Sequence, residues 1–170
     1  MSVSIIIPKK IAEKAREFGL DIEALVLELL IERLSLNPKE EITLHLELSK
    51  KYLEEGEKLI SKDVVQASEK LYKAAKEAVK AFAKHLDMKE ILARVKERGR
   101  WTVTDLERVV RISAKRIDRD VLIGWGEANY LHIWGFHEAK LDPDAIKARL
   151  PYIKRIIEIL EKLHTSNATS

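Results

Sequence analysis

Residues 63–86 read DVVQASEKLYKAAKEAVKAFAKHL, and the spacing of their apolar side chains decides the fold. Leu71, Ala74, Ala75, Ala78, Phe82 and Leu86 recur at intervals that place them on one side of an α-helix. Alanine dominates this stripe. Small side chains let a neighbouring helix approach closely, because interaxial distance follows the residues at the contact. Asp63 supplies a natural N-cap. The stretch therefore predicts a helix in tight contact with its neighbours, in a mainly α, up-and-down helical bundle.

Upstream, Asn37-Pro38-x-Glu40 combines a capping box with proline at the first helical position. It opens a helix to about Ile60, with Leu48, Tyr52, Leu59 and Ile60 inward and Gly56 allowing close approach. Downstream, Asp87-x-x-Glu90 reads as a capping box for a short helix to about Lys96, and Arg98-Gly99-Arg100-Trp101 as a loop. Thr104-x-x-Glu107 reads as a third box, starting a helix with Leu106, Val110 and Ile117 inside. The following helix carries Gly126–Leu141, GEANYLHIWGFHEAKL. Asp142-Pro143 begins the last helix, where Ile146, Leu150, Ile153, Ile157 and Leu160 alternate spacings of four and three. Residues 165–170 read as a polar tail.

The first 36 residues are of another kind. Ser2–Ile7 is a short β-prone run ended by Pro8. Helices are expected over Pro8–Phe18, stopped by Gly19, and over Ile22–Leu34, capped by Asp21. A strand and two short helices cannot bury a core alone and need a partner.

The 170 residues suit one ordinary domain with a small appendage. The chain has no cysteine, which excludes disulfides and Cys-based zinc sites. Its only amide side chains are Asn37, Gln66, Asn129 and Asn167 against abundant Lys and Glu, a balance that fits a heat-adapted protein. No apolar run approaches the length of a membrane span, and Val3–Ile7 lacks the shape of a signal peptide, so a cytoplasmic protein is expected. Net charge is only +3, but residues 84–119 hold eleven basic and six acidic side chains, whereas residues 1–36 hold five basic and six acidic. The basic excess is concentrated mid-chain.

Two resemblances rest on these elements. Residues 2–35 resemble a ribbon-helix-helix unit, which implies that two chains pair strands and interlock helices. On that resemblance Ser2, Ser4 and Ile6 would face outward, where the family reads DNA bases, and Val3, Ile5 and Ile7 inward. Base readout needs donors and acceptors, and these outward positions lack basic or amide groups, so dimerisation is the expected role and a DNA-binding regulator the alternative. LEEGEKLISKDVVQASEKLYKAAKEAVKAFAKHL resembles the opening helices of HEPN domains. RGRWTVTDLERVV and ANYLHIWGFHEAKLD resemble the archaeal PaREP repeat family, and together the likeness covers residues 38–163. It implies a HEPN-like helical bundle over residues 37–164, often dimeric, in a superfamily of RNases, nucleotidyltransferase partners and toxin–antitoxin components. The HEPN RNase signature is Arg, four to six residues, then His. His137 matches the histidine, but His132 and Tyr130 stand upstream where an arginine would be sought.

The candidate site residues follow. His137 is the candidate general acid or base, or a core-edge imidazole. His132 with Asn129 lines a small-molecule pocket or forms an interhelical polar pair. On a regular helix His132 and His137 lie about 140° apart, too far to share a metal ion, so no metal and no cofactor are expected. Arg98, Arg100 and Trp101 form a cationic, aromatic loop suited to phosphate or nucleotide. Arg108, Arg111, Lys115 and Arg119 form a stripe that tracks a phosphate backbone or is simply solvated. The reading is a non-catalytic, homodimeric binding module for RNA, a nucleotide or a nucleotidyltransferase-type partner protein. A divergent metal-independent RNase is the alternative.

Overall fold

The computed structural model describes residues 3–168, and among them the chain is mainly helical, with no β-strand. It divides into two units, residues 1–36 and 37–170.

The first unit holds α1 (Lys9–Glu17) and α2 (Ile22–Leu34). Gly19, at φ 65°, ends α1 with the hydrogen bonds Leu20 N to Ala15 O and Gly19 N to Arg16 O, the Schellman arrangement. The Asp21 carboxylate accepts from Ala24 N and starts α2 where the sequence predicts. The expected strand is not present: residues 3–7 form no ladder. A strand exists only by pairing, and a single copy of this segment offers nothing to pair with. Ser2 lies outside the described residues. Neither helix buries a residue, and Ile11, Phe18, Leu29 and Leu34 are all exposed.

The second unit contains α3 (Pro38–Leu59), α4 (Val64–His85), α5 (Lys89–Arg98), α6 (Val103–Arg116), α7 (Asp120–Tyr130), a π-helical segment (Leu131–His137) and α8 (Pro143–Ala168). α4 is its axis: α3, α5, α6, α7, α8 and the π segment all pack against it. The predicted stripe is the core, with Leu71, Ala74, Ala75, Ala78 and Phe82 fully buried. Gly56 of α3 rests on Leu71, and a Cβ there would lie 2.8 Å from that side chain. The inward stripe of α8 is likewise buried at Ile146, Ile153, Ile157 and Leu160. α8 continues through Ala168, past the predicted end at residue 164. Among the described residues no helix is long and apolar enough to cross a membrane.

Two predicted capping boxes are replaced. Asp87 does not cap α5; it sits at φ 48° as the left-handed residue that ends α4. Met88 N donates to Ala83 O and Asp87 N to Lys84 O, and the buried Met88 seals the turn. α6 starts at Thr102 rather than Thr104, because Thr102 and Asp105 form the reciprocal pair. Glu107 is thereby released to accept from Trp125 Nε1 at 2.6 Å.

A buried polar triad crosses the α3–α4 contact. His45 Nδ1 lies 2.7 Å and Lys80 Nζ 3.0 Å from the two oxygens of Glu77. Burial pushes the Glu77 carboxyl up, but the Lys80 charge and His45 prevail and hold it down at about 2. The folded value lies below the ordinary 4.5, so this stabilisation is complete above that pH and is lost as pH falls toward 2. Urea unfolding from pH 6 to 2 will show stability declining through that window. Glu77→Gln, which removes a carboxylate from beside the buried Lys80 ammonium, will cost about 3 kcal/mol at neutral pH and flatten the acid limb.

Candidate functional site

The helix that begins as α7 changes its winding at Leu131. From there to His137 it is π-helical, and its exit is marked by Glu138 N donating to Ile133 O, five residues back, at 2.9 Å. Such segments are rare and concentrate at functional sites. Gly135 faces α4 so closely that a Cβ would lie 2.1 Å from Ser68 Oγ. Ala139, at φ 50°, then turns the chain away.

Five residues now make roughly one turn, and this overturns the expected separation of the two histidines. His132 Nε2 and His137 Nε2 lie 3.1 Å apart. His132 Nδ1 is 2.8 Å from Glu69 Oε2 on α4, so the carboxylate holds the Nδ1 proton and leaves the Nε2 lone pair directed at His137. Tyr72, one turn beyond Glu69, stacks on the His132 ring at 4.0 Å between centroids. Burial, with the Glu69 charge second, raises the Tyr72 phenol to about 12. Phe136 packs against both imidazoles. His132 is three-quarters buried, whereas His137 is exposed. The interhelical polar pair is therefore His132–Glu69. Asn129 does not join it, and its amide donates to Trp125 O in its own helix.

A second feature lies along α5 and α6. An open groove of about 800 Å³ is floored by Met88, Ile91, Ile112 and Leu122. Arg108, Arg111, Lys115 and Arg119 of the predicted stripe line it, joined by Lys89, Arg94 and Arg116, against only Asp87 and Glu90. Among the described residues, Arg108, Arg111, Lys115, Arg116 and Arg119 make no ion pair. Arg94 Nε is buried with no hydrogen-bond partner there.

The predicted cationic loop is not part of this groove. Arg98 donates to Asp105 at 2.6 Å and to Arg100 O, so its charge fastens the start of α6. Against the upward push of burial, Thr102 and Arg98 keep the Asp105 carboxyl below its ordinary value. Trp101 packs partly buried on the core and Arg100 is exposed. Of the other tryptophans, Trp125 is core and Trp134 is half exposed. Glu69, Tyr72 and Arg94 escaped the sequence reading. The i, i+3 spacing of Glu69 and Tyr72 was the available signal, since it sets a carboxylate and an aromatic on one helix face.

These features define a helical bundle with a π-helical imidazole pair and a basic groove. The chain belongs to the Archaeal PaREP1/PaREP8 family, whose model matches residues 44–157. It is similar to a protein of Sulfolobus solfataricus solved by crystallography, at 33% identity and a TM-score of 0.64, over 68% of this chain and 95% of that one. A solution structure of the same structural-genomics target gives 33% identity and a TM-score of 0.60, over 68% of this chain and 89% of that one. No curated protein matches.

Gly135→Ala will test the close approach. It will destabilise the fold by about 1–3 kcal/mol, read from the denaturant midpoint. Ser68→Gly in the same chain will recover part of the loss, as a coupled pair requires.

Proposed function

We propose that this protein is a non-catalytic binding module that holds RNA along the α5–α6 groove by its phosphate backbone. One observation carries the reading: five cations without ion pairs among the described residues share an open groove. Unneutralised guanidinium and ammonium groups on one surface cost self-repulsion, which a polyanion relieves. The groove lacks an aromatic platform, so recognition rests on charge rather than on stacked bases.

Fluorescence anisotropy with a labelled single-stranded RNA, repeated across salt concentrations, tests this. Affinity will fall steeply with salt, at a log–log slope of about −0.7 for each phosphate neutralised. Arg111→Ala and Lys115→Ala will each flatten the slope, while Arg100→Ala will not. Salt-insensitive binding, or none, would leave a nucleotide or a protein as the ligand. The RNA will be recovered intact on a denaturing gel. Cleavage that vanishes in His137→Ala would replace this reading with a ribonuclease.

We also propose that residues 1–36 dimerise the protein, the support being two helices that bury nothing in a single copy. The buried core lies wholly within residues 46–160. Deleting residues 1–36 will leave a folded helical protein that sediments as a monomer. A deletion variant that remains dimeric would move the interface to the bundle.

A further inference from the structure

We infer that His132 and His137 form a binding site for a divalent first-row transition cation of the zinc class, with Glu69 as the positioning carboxylate. Two imidazole nitrogens on a tetrahedral zinc, each at 2.0–2.1 Å, stand about 3.3 Å apart. The two Nε2 atoms here are 3.1 Å apart. The separation hardly changes when a cation binds, and the rings swing so that both Nε2 lone pairs converge on the cation rather than lie along the line between the nitrogens. Imidazole nitrogen is a preferred ligand for zinc, nickel and copper, and the lack of thiolates removes competition from softer sites.

The surroundings are those of a metal-ligating histidine. Such a histidine commonly gives its other N–H to a carboxylate, which fixes the tautomer and raises ligand basicity. Glu69 Oε2 does this at His132 Nδ1. The Tyr72 and Phe136 rings, both nearly parallel to the His132 ring, hold the imidazole plane. In the cation-free pair His137 donates its Nε2 proton to His132. Binding exchanges that proton for the cation, and the exposed His137 ring takes up the Nδ1–H tautomer through solvent.

The protein supplies two ligands. Among the described residues no third His, Asp or Glu converges on the same point. The remaining positions therefore belong to water or to an incoming oxygen or nitrogen donor, as at open metal sites. The π segment is what makes this possible, since on an α-helix the same two residues diverge by about 140°. This inference stands apart from the groove and does not depend on RNA.

Isothermal titration of the full chain with Zn2+ alone is the test, with nitrogen-15 NMR of the imidazoles as the second readout. The expected result is saturable uptake of one Zn2+ per chain. His132 and His137 Nε2 resonances will shift together, and those of His45, His85 and His164 will not. His137→Ala, at an exposed position, will weaken binding by more than tenfold without changing the circular dichroism. Glu69→Gln will weaken it about tenfold, the usual effect of losing such a carboxylate. Absence of saturable uptake at millimolar Zn2+ would overturn the inference. So would uptake undiminished in His137→Ala, or shifts confined to other histidines.

Discussion

Everything in the larger unit depends on the close enclosure of α4. Ala67, Leu71, Ala74, Ala75, Ala78, Val79, Ala81, Phe82 and Ala83 are fully buried. A helix covered on nearly all sides has room only for small residues where neighbouring backbones come near. The alanines let α3, α8 and the π segment close on it together, and Phe82 and Leu71 fill the wider gaps. The same enclosure forbids unpaired charge. Glu77 and Lys80, forced inward by helical periodicity, survive because they meet each other and Glu77 also meets His45.

The π segment is the place where this packing meets chemistry. Its glycine sits against Ser68 because no side chain fits between. Its changed winding turns His132 toward Glu69 and brings His137 over it. Glu69 and Tyr72 are fixed by α4 itself, so the imidazole pair inherits the rigidity of the core. Two elements thus preorganise one polar cluster at the surface of the bundle.

The groove has a different origin. α6 buries Leu106, Val109 and Val110 and must place its Arg and Lys residues on the opposite side. α5 approaches from across the turn at Asp87 and Met88, and the two helices frame a cationic trough with an apolar floor. The groove and the imidazole pair use separate side chains on separate elements. Family membership fixes the bundle. The chemistry of these two surfaces belongs to the residues of this chain.

Sequence alone determined the helices, their inward faces and most of their starts. Those are local consequences of 3.6-residue periodicity and of Asn, Asp or Thr meeting free backbone N–H groups. It also marked Arg108, Arg111 and Lys115 as one stripe, because a helix face is a local property. It misjudged Thr104 and Asp87, where two overlapping local patterns competed and tertiary packing chose between them. It placed Arg98 and Trp101 in an open loop, although Asp105 and the core claim them. The pairing of His132 with His137 was decided only in three dimensions. A π segment of seven residues is too short to display a side-chain period that a sequence reading could find, and Gly135 lies where the chain presses against Ser68 of α4. Glu69 is 63 residues from His132 in sequence, and only folding brings the carboxylate to the ring.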